Sequence, residues 1–185
     1  MTSVLIIGGG GMIGQKLASS FSKNDSLTLL DIGFPNKNQS NARKMIGSVG
    51  DPEIIENSLK DLPEVIYYLA SVVSGEAEAD FSKGWDVNIH AFWSFLSLVK
   101  KLNEKSQGQY KPKIIFTSSI AVFGSPFPKQ IPDDFITAPR TSYGAQKASC
   151  ELMINDFSLK GFCEGLSIRL PTICVLPGNP NLEAY

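Results

Sequence analysis

The chain has 185 residues, 43% of them apolar, with 17 Lys and Arg against 18 Asp and Glu and a formal net charge of −1. That apolar content over that length suffices for the core of one globular domain, and the balanced charge excludes a broad basic surface and non-specific nucleic-acid binding. No apolar run reaches the ~18–20 residues of a membrane span, no signal-peptide pattern opens the chain, and Cys150, Cys163 and Cys174 form no CxxC pair, so a disulfide framework and a zinc site are unexpected and a reducing cytoplasm is the expected compartment.

Residues 4–7 are a continuous apolar run that stops at Gly8, the pattern of a strand buried on both faces of a parallel sheet. Met12, Ile13, Leu17, Ala18 and Phe21 then recur at helical spacing. Residues 27–30 form a second apolar run ending at Asp31, and 44–47 a weaker third strand. Asp51-Pro52-Glu53 opens a short helix, with Asp as N-cap, Pro in the first position and an acid in the first turn. Residues 65–70 read as another buried strand. A helical pattern runs from 76 to about 105, its apolar face carrying Phe81, Trp85, Ile89, Phe92, Leu96 and Val99. Residues 114–116 form a strand ending at Thr117-Ser118-Ser119. Residues 120–139, with Gly124, Pro126, Pro128, Pro132 and Pro139, read as a loop. A helix follows over about 142–160, then a last strand over 166–170, closed by Pro171. Alternating strands and helices predict an α/β fold with a doubly wound parallel sheet covered on both faces. Residues 1–176 read as one domain, and 177–185, rich in Pro, Gly and Asn, as the start of a linker.

Between the first strand and its helix lies Gly8-Gly9-Gly10-Gly11-Met12-Ile13-Gly14, which contains GxxGxxG. Here the chain must turn sharply, let backbone N–H groups approach a phosphate and pack the new helix closely, and a Cβ obstructs each step. A helix N-terminus adds free N–H groups and a positive dipole end. Gly8, Gly11, Met12, Ile13 and Gly14 are therefore candidate dinucleotide contacts, against the plainer reading of a glycine-rich turn. Asp31, 17 residues past Gly14, stands where an acid accepts from the adenosine ribose hydroxyls, and its charge favours NAD over NADP; the alternative is a turn cap. Asp51 either reaches the adenine or only caps its helix.

Tyr143 and Lys147 are four apart, hence on one helix face. A free Tyr titrates near ~10, and a neighbouring ammonium beside a positive nicotinamide ring favours the phenolate. Tyr143 is then a candidate to remove a hydroxyl proton while hydride leaves the same carbon. Ser119 lies just past a strand's carboxyl end, where open α/β sheets bind ligands; it is the candidate donor to the substrate oxygen, with Ser118 competing. An exposed helical pair and a serine-rich turn are the plainer readings.

Together the glycine loop, the acid after the second strand, Ser119 and YxxxK resemble the extended short-chain dehydrogenase/reductases, whose fold is Rossmann-like. Residues 117–124 are similar to that family's SSxxVYG stretch, which implies Ser119 as its catalytic serine; Phe123 stands for the usual Tyr, and Tyr68 for a common His. Residues 69–81, 141–147 and 169–173 are similar to members acting on four-carbon acid sugars. The resemblance implies NAD-dependent oxidation of the C2 hydroxyl of such an acid to the 2-keto acid. It implies Tyr143 as proton acceptor, Lys147 on the nicotinamide ribose, and Ser74, Ser119 and Tyr143 against the substrate. Asn88 matches an Asn that supports the family's sites, or is a polar residue of a core helix. A nucleotide-sugar epimerase or dehydratase using the same residues is the alternative activity, and a non-catalytic dinucleotide-binding module has no need of them. Trp93, Phe95, Met153 and Phe157 are either the homodimer face that family members build from two helices or ordinary core. Family chains are longer, and their C-terminal part closes over the substrate, so NAD affinity is expected to survive better than turnover in this chain.

Overall fold

The computed structural model describes residues 2–22, 25–35, 42–132 and 134–171. Cys174 and the expected linker over 177–185 lie outside them. Six strands form one sheet: β1 (Ser3–Ile7), β2 (Ser26–Asp31), β3 (Arg43–Ile46), β4 (Val65–Tyr68), β5 (Lys113–Ser119) and β6 (Glu164–Leu170). Every pairing is parallel and the order is β3-β2-β1-β4-β5-β6. The helices are α1 (Met12–Ser20), α2 (Pro52–Ser58), α3 (Ser74–Ala79), α4 (Phe81–Trp85), α5 (Ala91–Lys105) and α6 (Ser142–Leu159). A π turn, Asp86–His90, joins α4 to α5, and a 3₁₀ turn, Ile120–Val122, follows β5.

The period-2 alternation of strand side chains divides the core in two. Leu5, Ile7, Leu30 and Tyr68 point to the face where Phe92, Phe95, Phe116 and Ile154 pack. Val4, Ile6 and Leu29 point to the other face, against Ala18 of α1. Both faces of β1 are thus apolar, which is why residues 4–7 carry no polar position. Among the described residues no helix is long and apolar enough to cross a membrane.

The expected helix over 76–105 is not one helix. Asp80 leaves the helical region (φ −127°, ψ 89°) and its carboxylate accepts from the Lys83 N–H, capping a new start. An Asp inside a helical pattern competes with the backbone in this way. Phe81, expected on the buried face, is consequently exposed. The π turn brings the adjacent residues Asn88 and Ile89 both inward, and π turns are enriched at functional sites.

Because all strands run the same way, the residues after their carboxyl ends share one edge of the sheet. Chain order turns from β1–β2–β3 to β4–β5–β6 at the β1–β4 pair, and open α/β sheets bind ligands in the crevice at such a reversal. Gly8, Asp31, Ser71 and Ser119 all lie at this edge.

Candidate active site

The glycine loop is held by the protein's own backbone. Gly8 sits at φ +90°, and a Cβ on it would lie 2.7 Å from the Ala70 nitrogen. A Cβ on Gly14 would lie 2.3 Å from the Gly8 carbonyl oxygen, so the first turn of α1 rests directly on the loop. Gly11 differs: a Cβ there would meet nothing closer than the Gly8 oxygen, at an ordinary 3.5 Å. Its backbone (φ −70°, ψ 169°) is open to any residue, and it is the N-cap of α1 without a side-chain cap. Internal packing does not require glycine at 11. The space beside it, facing the uncapped N–H groups that begin at Met12 and Ile13, fits the close approach of a diphosphate.

Asp31 closes the loop from the side. Its Oδ2 accepts from the Gly10 N–H at 2.8 Å and its Oδ1 from the Gly33 N–H at 3.4 Å. Asp51 accepts from the Glu53 N–H at 2.9 Å and is the N-cap of α2.

Tyr143 and Lys147 stand in the first turns of α6. Thr141 caps this helix by accepting from the Gly144 N–H at 3.0 Å, and Glu78 of α3 accepts from the Tyr143 N–H at 3.0 Å. Gly144 lets the helix start close to the 3₁₀ turn, because a Cβ there would lie 2.2 Å from the Ala121 oxygen. Burial pushes the Tyr143 phenol above its ordinary value, and hydrogen bonds with Ser71 and Ser119 act in the opposite direction. Desolvation is the largest influence on the phenol in this geometry. Ser119 Oγ also accepts from the Ala121 N–H at 3.1 Å. Ser118 faces away: it donates to Glu151, which pairs with Arg169 (Nη2–Oε2 2.8 Å). Of the two serines it is Ser119 whose hydroxyl bears on the phenol's pKa.

Lys147 is 2% exposed. Among the described residues its hydrogen-bond acceptor is the Thr117 carbonyl, at 3.0 Å, and its Nζ lies 4.8 Å from the Phe116 ring centroid and 5.5 Å from that of Tyr143. Burial lowers its pKa from 10.5 to about 8. Between those two values the unfolded chain holds a proton that the folded one has released, so this group makes stability rise with pH across that window. At neutral pH the buried charge costs about 3 kcal/mol by this linkage, while the Thr117 bond restores about 1 kcal/mol. Lys147→Met is accordingly expected to unfold at a higher temperature than the parent at pH 7, with the gap closing from pH 8 towards 10.5. Melting curves across that range check it, and a gap independent of pH contradicts it.

Behind the phenol lies a buried polar chain. Asn88 Oδ1 accepts from the Val72 N–H at 2.8 Å and from the Ser71 hydroxyl at 3.1 Å. Its Nδ2 donates to the Val72 carbonyl at 3.0 Å and to Gln146 Oε1 at 2.7 Å. Gln146 in turn donates to Ser142 Oγ at 3.0 Å. A Cβ on Gly84 would lie 2.7 Å from the Gln146 amide nitrogen, so that glycine makes room for it. Ser71 and Gln146 were not singled out from sequence. The available signal for Ser71 was its place just beyond the end of β4, next to the reversal of chain order. Ser74 opens α3 and is half-buried, and no described contact ties it to Tyr143.

Of the residues named for an interface, Phe95 and Phe157 belong to the protomer's own core, Met153 packs against that core, and Trp93 is exposed. Leu152 and Leu159 on α6 are also exposed.

A parallel sheet with this strand order, a glycine loop at its reversal and a Ser–Tyr–Lys set on the same edge define a dinucleotide-binding α/β protein. The model of the NAD dependent epimerase/dehydratase family matches residues 4–181, and the chain belongs to that family. It is 37% identical to the D-erythronate dehydrogenase of Cupriavidus necator and 38% identical to that of Haemophilus influenzae. Each match covers 98% of this chain and 58% of the relative, so the chain spans little more than half the length of these curated proteins. A solved structure described as the nucleoside-diphosphate-sugar epimerase from Agrobacterium tumefaciens superposes with a TM-score of 0.87 at 41% identity, over 98% of this chain and 56% of that one.

Proposed function

We propose that this chain is the cofactor-binding part of an enzyme that oxidises the C2 hydroxyl of D-erythronate, or a near four-carbon acid sugar, to the 2-keto acid with NAD. The observation that carries the reading is the placement of Ser119 at the end of β5, and of Tyr143 and Lys147 in the first turns of α6 with Lys147 Nζ 5.5 Å from the Tyr143 ring centroid, at the sheet edge that also bears the glycine loop. The D-erythronate dehydrogenases among the relatives support the substrate class.

In this reading the loop from Gly8 to Gly14 and the first N–H groups of α1 hold the diphosphate, with Gly11 leaving the room. The Asp31 carboxylate accepts from the adenosine ribose hydroxyls and repels a 2′-phosphate, while Asp51 serves its helix and borders the adenine side. Lys147 donates to the nicotinamide ribose. Ser119 donates to the substrate oxygen, and Ser74 lies on the substrate side of α3. As a phenolate, the form that the Lys147 ammonium one turn on and a positive nicotinamide ring would favour, Tyr143 would take the hydroxyl proton as the C2 hydride leaves. Bound NAD supplies the hydride acceptor and a positive ring beside the phenol.

The compartment of this reading is the cytoplasm, in keeping with the free thiols of Cys150 and Cys163. The protein pairs as a homodimer through the exposed Trp93, Leu152 and Leu159 of α5 and α6; light scattering that finds only monomer at micromolar concentration removes the dimer. The likeness to the Agrobacterium tumefaciens structure favours a second reading, a nucleotide-sugar epimerase using the same residues. A substrate panel separates the two. NADH formation from D-erythronate, without NADPH formation from NADP, supports the dehydrogenase. Interconversion of UDP-sugars with no net NADH supports the epimerase.

A further inference from the structure

We propose that Gln146 is a positioning residue: through Asn88 it ties the helix that carries Tyr143 and Lys147 to the loop after β4, and so sets where the acid–base pair stands relative to the glycine loop. Gln146 is fully buried and lies on α6 between those two residues. Its Oε1 accepts from Asn88 Nδ2 at 2.7 Å, and its Nε2 donates to Ser142 Oγ at 3.0 Å. Asn88 in turn clamps one residue of the loop, accepting from the Val72 N–H at 2.8 Å and donating to the Val72 carbonyl at 3.0 Å. The same loop is fastened to the start of the glycine turn, where the Ala70 N–H donates to the Ile7 carbonyl at 3.1 Å. A continuous path thus runs from the glycine loop through residues 70–72 and Asn88 to the first turns of α6.

The tie is rigid for a physical reason. A buried amide whose oxygen and nitrogen are both engaged has one favoured orientation, and taking away one member of such a chain leaves its neighbour buried and unpaired. Cys150, one turn further along α6, donates its thiol to the Asn88 carbonyl at 3.1 Å, so α6 holds Asn88 by backbone and side chain alike. The bond from Gln146 to Ser142 closes over the first turn of α6. That turn contains Tyr143, and a helix frays most readily at its ends, where backbone groups lack helical partners.

This rests on Tyr143 and Lys147 being the acid–base pair, but its first readout needs no turnover. Gln146→Met keeps the length of the side chain and removes both of its bonds. Amide hydrogen exchange read by NMR is expected to speed about tenfold at the Val72 N–H, while amides of β1 and β5 exchange at the parent rate. Turnover of acid sugars is expected to fall by about ten- to a hundredfold, the scale of a displaced reacting group, with the KM for NAD within about twofold of the parent. Gln146→Glu keeps an acceptor for Asn88, and the Ser142 hydroxyl turns its own proton to that carboxyl, so both readouts are expected to return close to the parent. Gly84→Ala crowds the Gln146 amide from α4, its Cβ 2.7 Å from Nε2. It is expected to speed Val72 exchange in the same way, and it serves if Gln146→Met does not fold. Val72 exchange unchanged in the folded variants, sped equally in β1 and β5, or as fast in Gln146→Glu as in Gln146→Met overturns the tie. Val72 exchange sped with turnover at the parent rate overturns the positioning role. Absence of NADH formation by the parent, with Val72 exchange sped in Gln146→Met, overturns the proposed activity and leaves the tie standing.

Discussion

Tyr143→Phe is expected to lower turnover by about a thousandfold, the scale of a positioned proton-transfer group, while NAD affinity stays within about twofold of the parent. The argument is one of subtraction. The ring remains, with Lys147 Nζ 5.5 Å from its centroid. The helix start also remains, since Thr141 and Glu78 bond the backbone and not the phenol. Only the phenol oxygen is removed. Steady-state rates with calorimetric NAD titration check both halves. Turnover near that of the parent takes Tyr143 out of the chemistry.

Gly11→Val is expected to weaken NAD binding by about a hundredfold, close to 3 kcal/mol, with stability lowered only by the ~1 kcal/mol that a β-branched N-cap costs. The two effects separate because position 11 is spacious with respect to the protein itself: a Cβ meets only the Gly8 oxygen, at 3.5 Å. The same change at Gly14 drives a Cβ to 2.3 Å from that oxygen and strains the loop whether or not a ligand is present. Paired thermal melts and NAD titrations of the two variants read the difference. Tight NAD binding by Gly11→Val places the diphosphate elsewhere.

The parts of this fold legible in the sequence are those where local pattern and tertiary role agree. Residues 4–7 are apolar throughout because β1 is central and covered on both faces. Asp51-Pro52 announces α2 because the cap is made within three residues. Tyr143 and Lys147 share a face because a helix puts positions four apart together. The break at Asp80 was illegible because the apolar spacing continues across it, and the local cap to Lys83 outweighs that spacing. Phe95 and Phe157 looked like surplus apolar residues, since composition does not say which face of a helix the sheet takes.

Ser71 was hidden for a different reason. Its side-chain partner is Asn88, 17 residues on, and Asn88 meets Gln146 across 58 residues. Such a network is assembled by β4, the π turn and α6 arriving at one sheet edge, and no short motif records that arrival. Ser118 and Ser119 are adjacent and chemically equal in sequence. Strand alternation alone turns Ser118 towards Glu151 and leaves Ser119 for Tyr143.

The most direct measurement is a crystal structure of the protein soaked with NAD. Diphosphate oxygens within hydrogen-bonding distance of the backbone at Gly11 to Ile13, with the nicotinamide ring packed beside the Tyr143 oxygen, are the expected result. A dinucleotide whose ring lies at the opposite rim of the sheet, away from residue 143, contradicts the account.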